Sequence, residues 1–66
     1  MTYIIEIYTP GIAIDITTAT YLYYDSLDDA IDIAAQYKSC HGDDIAINIY
    51  ESINEYDAKR QLLKSL

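Results

Sequence analysis

The first 37 residues contain no lysine and no arginine, although they carry six carboxylates. All four basic residues of the 66-residue chain come later, and the formal net charge at pH 7 is −7. The six early carboxylates are Glu6, Asp15, Asp25, Asp28, Asp29 and Asp32. Nucleic-acid binding depends on Lys and Arg side chains that displace counterions from phosphates, so this composition argues against a nucleic-acid ligand. It favours a basic protein surface as the partner.

Cysteine, glycine and proline are also scarce, with one Cys, two Gly and one Pro. The single Cys40 cannot form an internal disulfide, so we expect an intracellular, cytoplasmic protein that side-chain packing stabilises. No window approaches the roughly 18 uncharged apolar residues of a membrane span, and the N-terminus lacks the pattern of a secretory signal. Because 52% of the residues are hydrophobic, we expect one folded domain over residues 1–66.

Alternation of apolar and polar residues predicts strands over residues 3–8 and 44–51. Directly after the first of these strands, residues 9–11 (Thr-Pro-Gly) predict a type II turn that reverses the chain into a hairpin with the residues that follow. Residues 12–24 are prone to β-structure throughout, which is long for one strand. They form either one bent strand or two short strands, and the pattern does not distinguish the two.

Ser26 and Asp29 form an acidic version of a capping box and predict a helix that runs to about residue 39. Its apolar stripe contains Leu27, Ala30, Ile31, Ala34 and Tyr37. A second capping-box pattern over residues 52–55, with basic residues later, predicts a short C-terminal helix. The order β-β-(β)-α-β-α predicts a small α+β fold with an antiparallel sheet of three or four strands.

The outward side of the first helix carries the strongest functional signal. Asp28 and Asp29 suit the positive end of the helix dipole, but Asp32 lies one turn later and repels Asp28. The spacing of about 6 Å along the axis is comparable with that of phosphates along a DNA strand, so the row can occupy basic DNA-binding side chains. A simple solvated face is the alternative. The predicted partner-binding carboxylates are Asp25, Asp28, Asp29, Asp32, Asp43, Asp44 and Glu51.

The second face of the predicted sheet is rich in tyrosine. By alternation it carries Tyr8, Tyr21, Tyr23 and Tyr50. Tyrosines of this kind favour a homodimer or a docking contact, which predicts a small regulatory module as the alternative function. Stacking of single-stranded bases is disfavoured, because such a platform needs flanking cations. Either the last helix or another molecule is expected to cover this face.

Residues 40–44 (Cys-His-Gly-Asp-Asp) contain several types of metal ligand within a short loop. A metal site usually draws paired Cys or His ligands from two segments, and the chain has no second pair. A Cys40–His41 dyad lacks an orienting third group, and the sequence contains no phosphate-binding loop or hydrolase motif. We therefore expect no enzymatic activity, no catalytic residue, no metal and no cofactor.

Three stretches of the chain carry a resemblance to a known family: Tyr3-Ile4-Ile5-Glu6-Ile7, Ser26-Leu27-Asp28-Asp29-Ala30-Ile31-Asp32-Ile33-Ala34 and Ile45-Ala46-Ile47-Asn48-Ile49-Tyr50-Glu51-Ser52. With these stretches the chain resembles the small, acidic, phage-encoded anti-CRISPR proteins. The resemblance implies a non-enzymatic inhibitor in the host bacterial cell that binds a CRISPR-Cas effector, often a type I surveillance complex. Such an inhibitor blocks target DNA by covering basic DNA-binding residues.

Overall fold

Four strands and one α-helix make up the part of the chain that the computed structural model describes, residues 1–11, 19–53 and 60–66. The strands form a single antiparallel sheet in the order β2-β1-β3-β4. This arrangement confirms the predicted α+β class and the antiparallel sheet. The elements are β1 (Thr2–Tyr8), β2 (Thr20–Tyr24), α1 (Leu27–His41), a 3₁₀ turn (Gly42–Asp44), β3 (Ala46–Ser52) and β4 (Gln61–Ser65).

Strand β1 lies in the interior of the sheet and pairs with β2 on one side and β3 on the other. Its pairing with β3 runs from Thr2 opposite Ser52 to Tyr8 opposite Ala46. Because both edges are paired and α1 covers one face, four consecutive residues of β1 are buried. Both predicted strands, over residues 3–8 and 44–51, are therefore confirmed within one or two residues at each end.

The core lies between the sheet and α1. Alternate residues of β1 and β3 point toward the helix, and Ile5, Ile47 and Ile49 are completely buried there. Ala30 and Ala34 of α1 are also completely buried, since small side chains let the helix lie close to the sheet. The inward alternation predicted from sequence is confirmed. The residues of the predicted apolar stripe of α1 are buried or partly buried except for Tyr37, which is 38% exposed near the end of the helix.

The ends of α1 follow from its capping residues. The Ser26 hydroxyl accepts a hydrogen bond from the Asp29 backbone N–H at 3.4 Å, as the capping box predicts. At the other end Gly42 adopts a positive φ of 59°, and its N–H donates to the Lys38 carbonyl. The helix thus begins where predicted and ends two residues later than expected, at His41.

Gly11, the last described residue of the turn after β1, has a φ of 88°, the positive value that a type II turn requires at its third residue. Thr20–Tyr24 then form β2, which pairs antiparallel with β1, with Ile7 opposite Thr20. Residues 12–18, on which the choice between one bent strand and two depends, lie outside the described residues.

The predicted C-terminal helix is wrong for residues 61–65, which form β4 at the edge of the sheet. The remainder of that prediction falls on residues 54–59, which lie outside the described residues. The outer edge of β3 offers backbone donors and acceptors to this short segment, and pairing satisfies them. A short isolated helix is marginal in water, so the available strand partner outweighs the capping signal. Within the described residues, no helix has the length and apolar character needed to cross a bilayer.

Candidate functional site

Four exposed carboxylates lie at the start of α1 and on its outward side, and we call them the acidic face. Asp25 precedes the helix cap, Asp28 and Asp29 lie in the first turn, and Asp32 follows one turn later. All four are exposed. Ala30 and Ala34 direct the opposite side of α1 into the core, so the helix brings Asp28, Asp29 and Asp32 together on its outward side, and Asp25 lies directly before the cap of the same helix.

The basic residues that the structure describes lie away from the acidic face or contact other groups. Lys38 is ten residues after Asp28, about 15 Å along a helix axis. Its ammonium donates to the Ile45 carbonyl oxygen at 2.8 Å and joins the last turn of α1 to the start of β3. Arg60 lies over tyrosine rings on the opposite side of the sheet. The third described cation, Lys64, is exposed on the edge strand β4, opposite Ile49 of β3.

The other predicted carboxylates occupy two separate places. Asp43 and Asp44 are exposed in the 3₁₀ turn before β3. Glu51 lies near the other end of β3, opposite Tyr3, and is partly buried. A strand rises about 3.3 Å per residue, so the part of β3 from Ala46 to Glu51 alone puts about 16 Å between the 3₁₀ turn and Glu51. These three residues do not form one patch.

The sheet face opposite α1, which we call the tyrosine face, contains two rows of directly paired residues that each cross all four strands. The apolar row consists of Tyr23, Ile4, Tyr50 and Leu62. The polar row consists of Tyr21, Glu6, Asn48 and Ser65. Paired residues on neighbouring strands lie close enough for their side chains to interact, so each row forms a continuous band.

Glu6 is the centre of the polar row and is only 5% exposed. The Tyr21 hydroxyl donates to its Oε2 at 3.0 Å, while Asn48 Nδ2 and the Tyr50 hydroxyl donate to its Oε1 at 3.0 and 3.2 Å. Ser65 Oγ extends the network by donating to Asn48 Oδ1 at 2.7 Å. A buried carboxylate needs hydrogen-bond donors of this kind, because burial without them is costly.

The two tyrosine hydroxyls respond to this environment. Burial raises the pKa of Tyr21 and of Tyr50, and the Glu6 carboxylate that they contact raises both pKa values further. The nearby Arg60 opposes these effects in part. The hydroxyls therefore remain protonated donors to a higher pH than ordinary tyrosines do.

Arg60 lies over the tyrosine face. Its guanidinium carbon is 5.4 Å from the centroid of the Tyr21 ring and 4.9 Å from that of Tyr50, within the range of a cation–π contact. These two rings flank Glu6, so the cation lies near the buried carboxylate. One ring surface of each of the two tyrosines is consequently occupied, which disfavours base stacking there.

The four predicted interface tyrosines have different roles in the structure. Tyr21 and Tyr50 hold Glu6, whereas Tyr23 is 46% exposed at one end of the apolar row. Tyr8 lines an open cleft of about 300 Å³ at the end of the sheet, together with Tyr37 and His41. The predicted set is therefore divided between a buried network, an exposed strand edge and this cleft.

The segment considered for metal binding has other contacts. The His41 ring stacks on the Tyr37 ring, with centroids 6.2 Å apart and planes 16° apart, while Cys40 is an exposed free thiol. No group of three or more His, Cys, Asp or Glu side chains in the described part of the chain is arranged to hold a metal ion.

The sequence did not predict two features of this face: the hydrogen bonds to the buried Glu6, and the position of Arg60 over the Tyr21 and Tyr50 rings. Alternation did place Glu6 on the same face as Tyr21, Asn48 and Tyr50. The missing signal was the strand order, because Glu6 is buried only when β1 lies between β2 and β3.

Comparison of the chain with known proteins gave no matching family model, no matching curated protein and no matching solved structure.

Proposed function

We propose that this protein is a non-enzymatic inhibitor that binds a basic, DNA-binding surface of a host protein complex and blocks target DNA by mimicking its charge. The proposed target is a type I CRISPR-Cas effector in the cytoplasm of the host bacterial cell. The acidic face supplies the leading contacts. The proposal rests on one observation above all, the exposure of Asp25, Asp28, Asp29 and Asp32 on a single surface.

The distribution of charge supports this proposal. Of the described cations, Lys38 contacts the Ile45 carbonyl, Arg60 lies over the tyrosine face and Lys64 is exposed on β4, while the four carboxylates of the acidic face are exposed to solvent. An exposed negative field of this kind attracts a basic surface and speeds its association. Asp32 lies one turn after Asp28, beyond the first turn where the helix dipole favours a carboxylate, so its like charge weakens the helix slightly.

The rigid placement of the carboxylates also favours binding. The acidic face lies on a 15-residue helix whose start is capped by Ser26 and whose buried side packs on the sheet. Groups that are already held in place lose little conformational entropy when a partner binds. The helix therefore presents a preformed row of negative charge.

The test is a DNA mobility shift with purified type I surveillance complexes. Wild-type protein is compared with the variant Asp28→Asn/Asp29→Asn/Asp32→Asn, which loses three negative charges from the acidic face. A control, Asp15→Asn/Glu55→Gln/Asp57→Asn, loses the same number of charges at residues outside the predicted partner-binding set. We expect the wild type and the control to displace DNA and the acidic-face variant to lose this effect.

Two results would contradict the proposal. Equal losses in both variants would mean that overall charge, rather than the acidic face, is responsible. Undisturbed DNA binding by every complex tested, with wild-type protein in excess, would remove DNA competition as the mechanism.

The alternative function is a small regulatory module that docks through the tyrosine face. The exposure of Tyr23 and Leu62, 46% and 51%, favours this candidate, since both lie on that face. Binding of a partner protein that survives in the acidic-face variant and is lost in a Tyr23→Ser variant would support it.

A further inference from the structure

Strand β4 is the most exposed strand of the described sheet. All five of its residues, Gln61–Ser65, are exposed, and α1 packs mainly on β1, β2 and β3. Its pairing with β3 shifts register between Ile49 and Tyr50, which interrupts the hydrogen-bond ladder in the middle of the strand. The residues of β4 itself therefore contribute few of the buried contacts that hold a strand in place.

The residue before β4 contacts the tyrosine face. The Arg60 guanidinium carbon is 4.9 Å from the centroid of the Tyr50 ring, on the neighbouring strand β3. It is also 5.4 Å from the centroid of the Tyr21 ring, which belongs to β2 on the far side of β1. The cation–π contact therefore fastens the start of β4 to two other strands of the sheet.

The residue after β4 contacts the core. Leu66 is partly buried and packs against the buried residues between the sheet and α1. Its N–H donates to the Ile47 carbonyl oxygen at 2.8 Å, and the Ile47 N–H donates to the Leu66 carbonyl oxygen at 3.3 Å. The end of β4 is therefore held by apolar packing and by two hydrogen bonds that break if the strand leaves β3.

The core of the described fold is built without β4. Its buried residues come from β1, α1 and β3, and β1 has β2 and β3 as its two partners. An element that makes few buried contacts opens at a lower free energy than the whole domain unfolds. Strand β4 meets this condition between its two flanking contacts.

We propose that β4 is a releasable strap, held by Arg60 at one end and Leu66 at the other, that separates from β3 as a unit while the rest of the sheet stays folded. Because both residues hold the same strand, weakening one of them loosens the strand at both ends. Separation uncovers the edge of β3, whose backbone groups can then pair with an extended segment of another chain.

Amide hydrogen exchange of the full chain, followed by NMR, measures this separation under conditions in which exchange reports the opening equilibrium. The reporters are the N–H groups of Leu66 and Ile47, whose hydrogen bonds to each other are lost when β4 leaves β3. The references are the most protected amides of β1, which pairs on both edges. In the wild type we expect both reporters to be less protected than these references.

The first comparison tests the contact at the far end of the strap. Arg60→Gln removes the cation from the tyrosine rings, and Arg60 is exposed, so this variant should fold. A cation–π contact changes an equilibrium constant by roughly 2- to 30-fold, so protection of the Leu66 N–H, six residues away, should fall by such a factor. Lys64→Gln removes the same charge from β4 itself, opposite Ile49, and should change that protection less.

The second comparison tests whether the strap opens separately from the rest of the fold. Ser26→Ala removes the cap of α1, a contact that is present both when β4 is bound and when it is released. This variant should lower protection of the β1 references by roughly 2- to 5-fold. Protection of the Leu66 N–H should stay unchanged, because the bound and released states are destabilised equally.

Each of four results would overturn the proposal. Wild-type reporters as protected as the β1 references would show that β4 leaves only on global unfolding, and an equal effect of Ser26→Ala on reporters and references would show the same. A Leu66 N–H that does not respond to Arg60→Gln would mean that the two ends fray independently. An equal response to Lys64→Gln would assign the effect to charge rather than to the tyrosine contact.

Discussion

Replacing Glu6 with Gln tests whether the buried carboxylate holds the tyrosine face together. The substitution keeps the size of the side chain and removes its charge. Oε1 can still accept from Asn48 and Tyr50, but the new amide group must donate toward Tyr21, whose hydroxyl then has to reverse its role. All three bonds to a charged acceptor are changed or lost.

The size of the effect follows from these three bonds. A hydrogen bond to a charged group contributes roughly 1.5–3 kcal/mol and a neutral one roughly 0.5–1.5 kcal/mol. Burying the neutral amide of Gln costs less solvation free energy than burying the charged carboxylate of Glu6, and this saving offsets part of the difference. We expect Glu6→Gln to lower the free energy of unfolding by about 2 kcal/mol, a large share of the roughly 5 kcal/mol typical of a small domain.

Urea unfolding followed by circular dichroism measures this change. For a chain of this size a slope of about 1 kcal/mol per M is expected, so the midpoint should fall by about 2 M. The control is Glu51→Gln, the same change at a partly buried glutamate on β3. Midpoints for the two variants that agree within about 0.5 M would refute the reasoning, because they would show that the contacts to Glu6 contribute nothing specific.

Three further predictions concern the tyrosines, the helix cap and the core. The pKa values of Tyr21 and Tyr50 are raised above 10.0 in the folded protein. The free energy of unfolding that their protonated hydroxyls contribute is therefore fully present below pH 10 and is lost as pH rises through the raised values. Alkaline urea titrations should therefore show a smaller loss of stability in Tyr21→Phe/Tyr50→Phe than in the wild type. Ser26→Ala removes the cap to Asp29 and should lower stability by about 0.5–1 kcal/mol in urea unfolding, with Ser39→Ala as an exposed control. Ala34→Leu adds bulk to a completely buried site and should cost about 1–3 kcal/mol by the same measurement, whereas an unchanged midpoint would show that the helix can move away from the sheet.

The elements that the sequence predicted correctly are those that local pattern determines. Period-2 alternation locates β1 and β3, and the Ser26 cap locates the start of α1, because each signal lies within the element itself. The exposure of Asp28, Asp29 and Asp32 follows from the same helical periodicity. For these residues, a few neighbours in sequence decide which side faces the core.

The elements that the sequence did not predict depend on distant partners. Residues 61–65 form a strand because β3 offers them an open edge, and no pattern within the five residues contains that information. Glu6 is buried because β2 and β3 flank β1, which brings Tyr21 and Asn48 to it from different strands. Strand order is a property of the whole chain, so a correct assignment of faces still left Glu6 unrecognised.

The interior position of β1 has a consequence for the order in which the protein can fold during synthesis. Thr2 pairs with Ser52, so one edge of β1 stays unpaired until the ribosome has made β3. Before then β1 can pair with β2 alone, and a two-stranded hairpin is marginally stable in water. Pairing between segments so far apart also slows folding, since a long loop must close first. The nascent chain therefore exposes the apolar residues of β1 until β3 has been made, and a chaperone that binds short apolar segments should recognise this strand first.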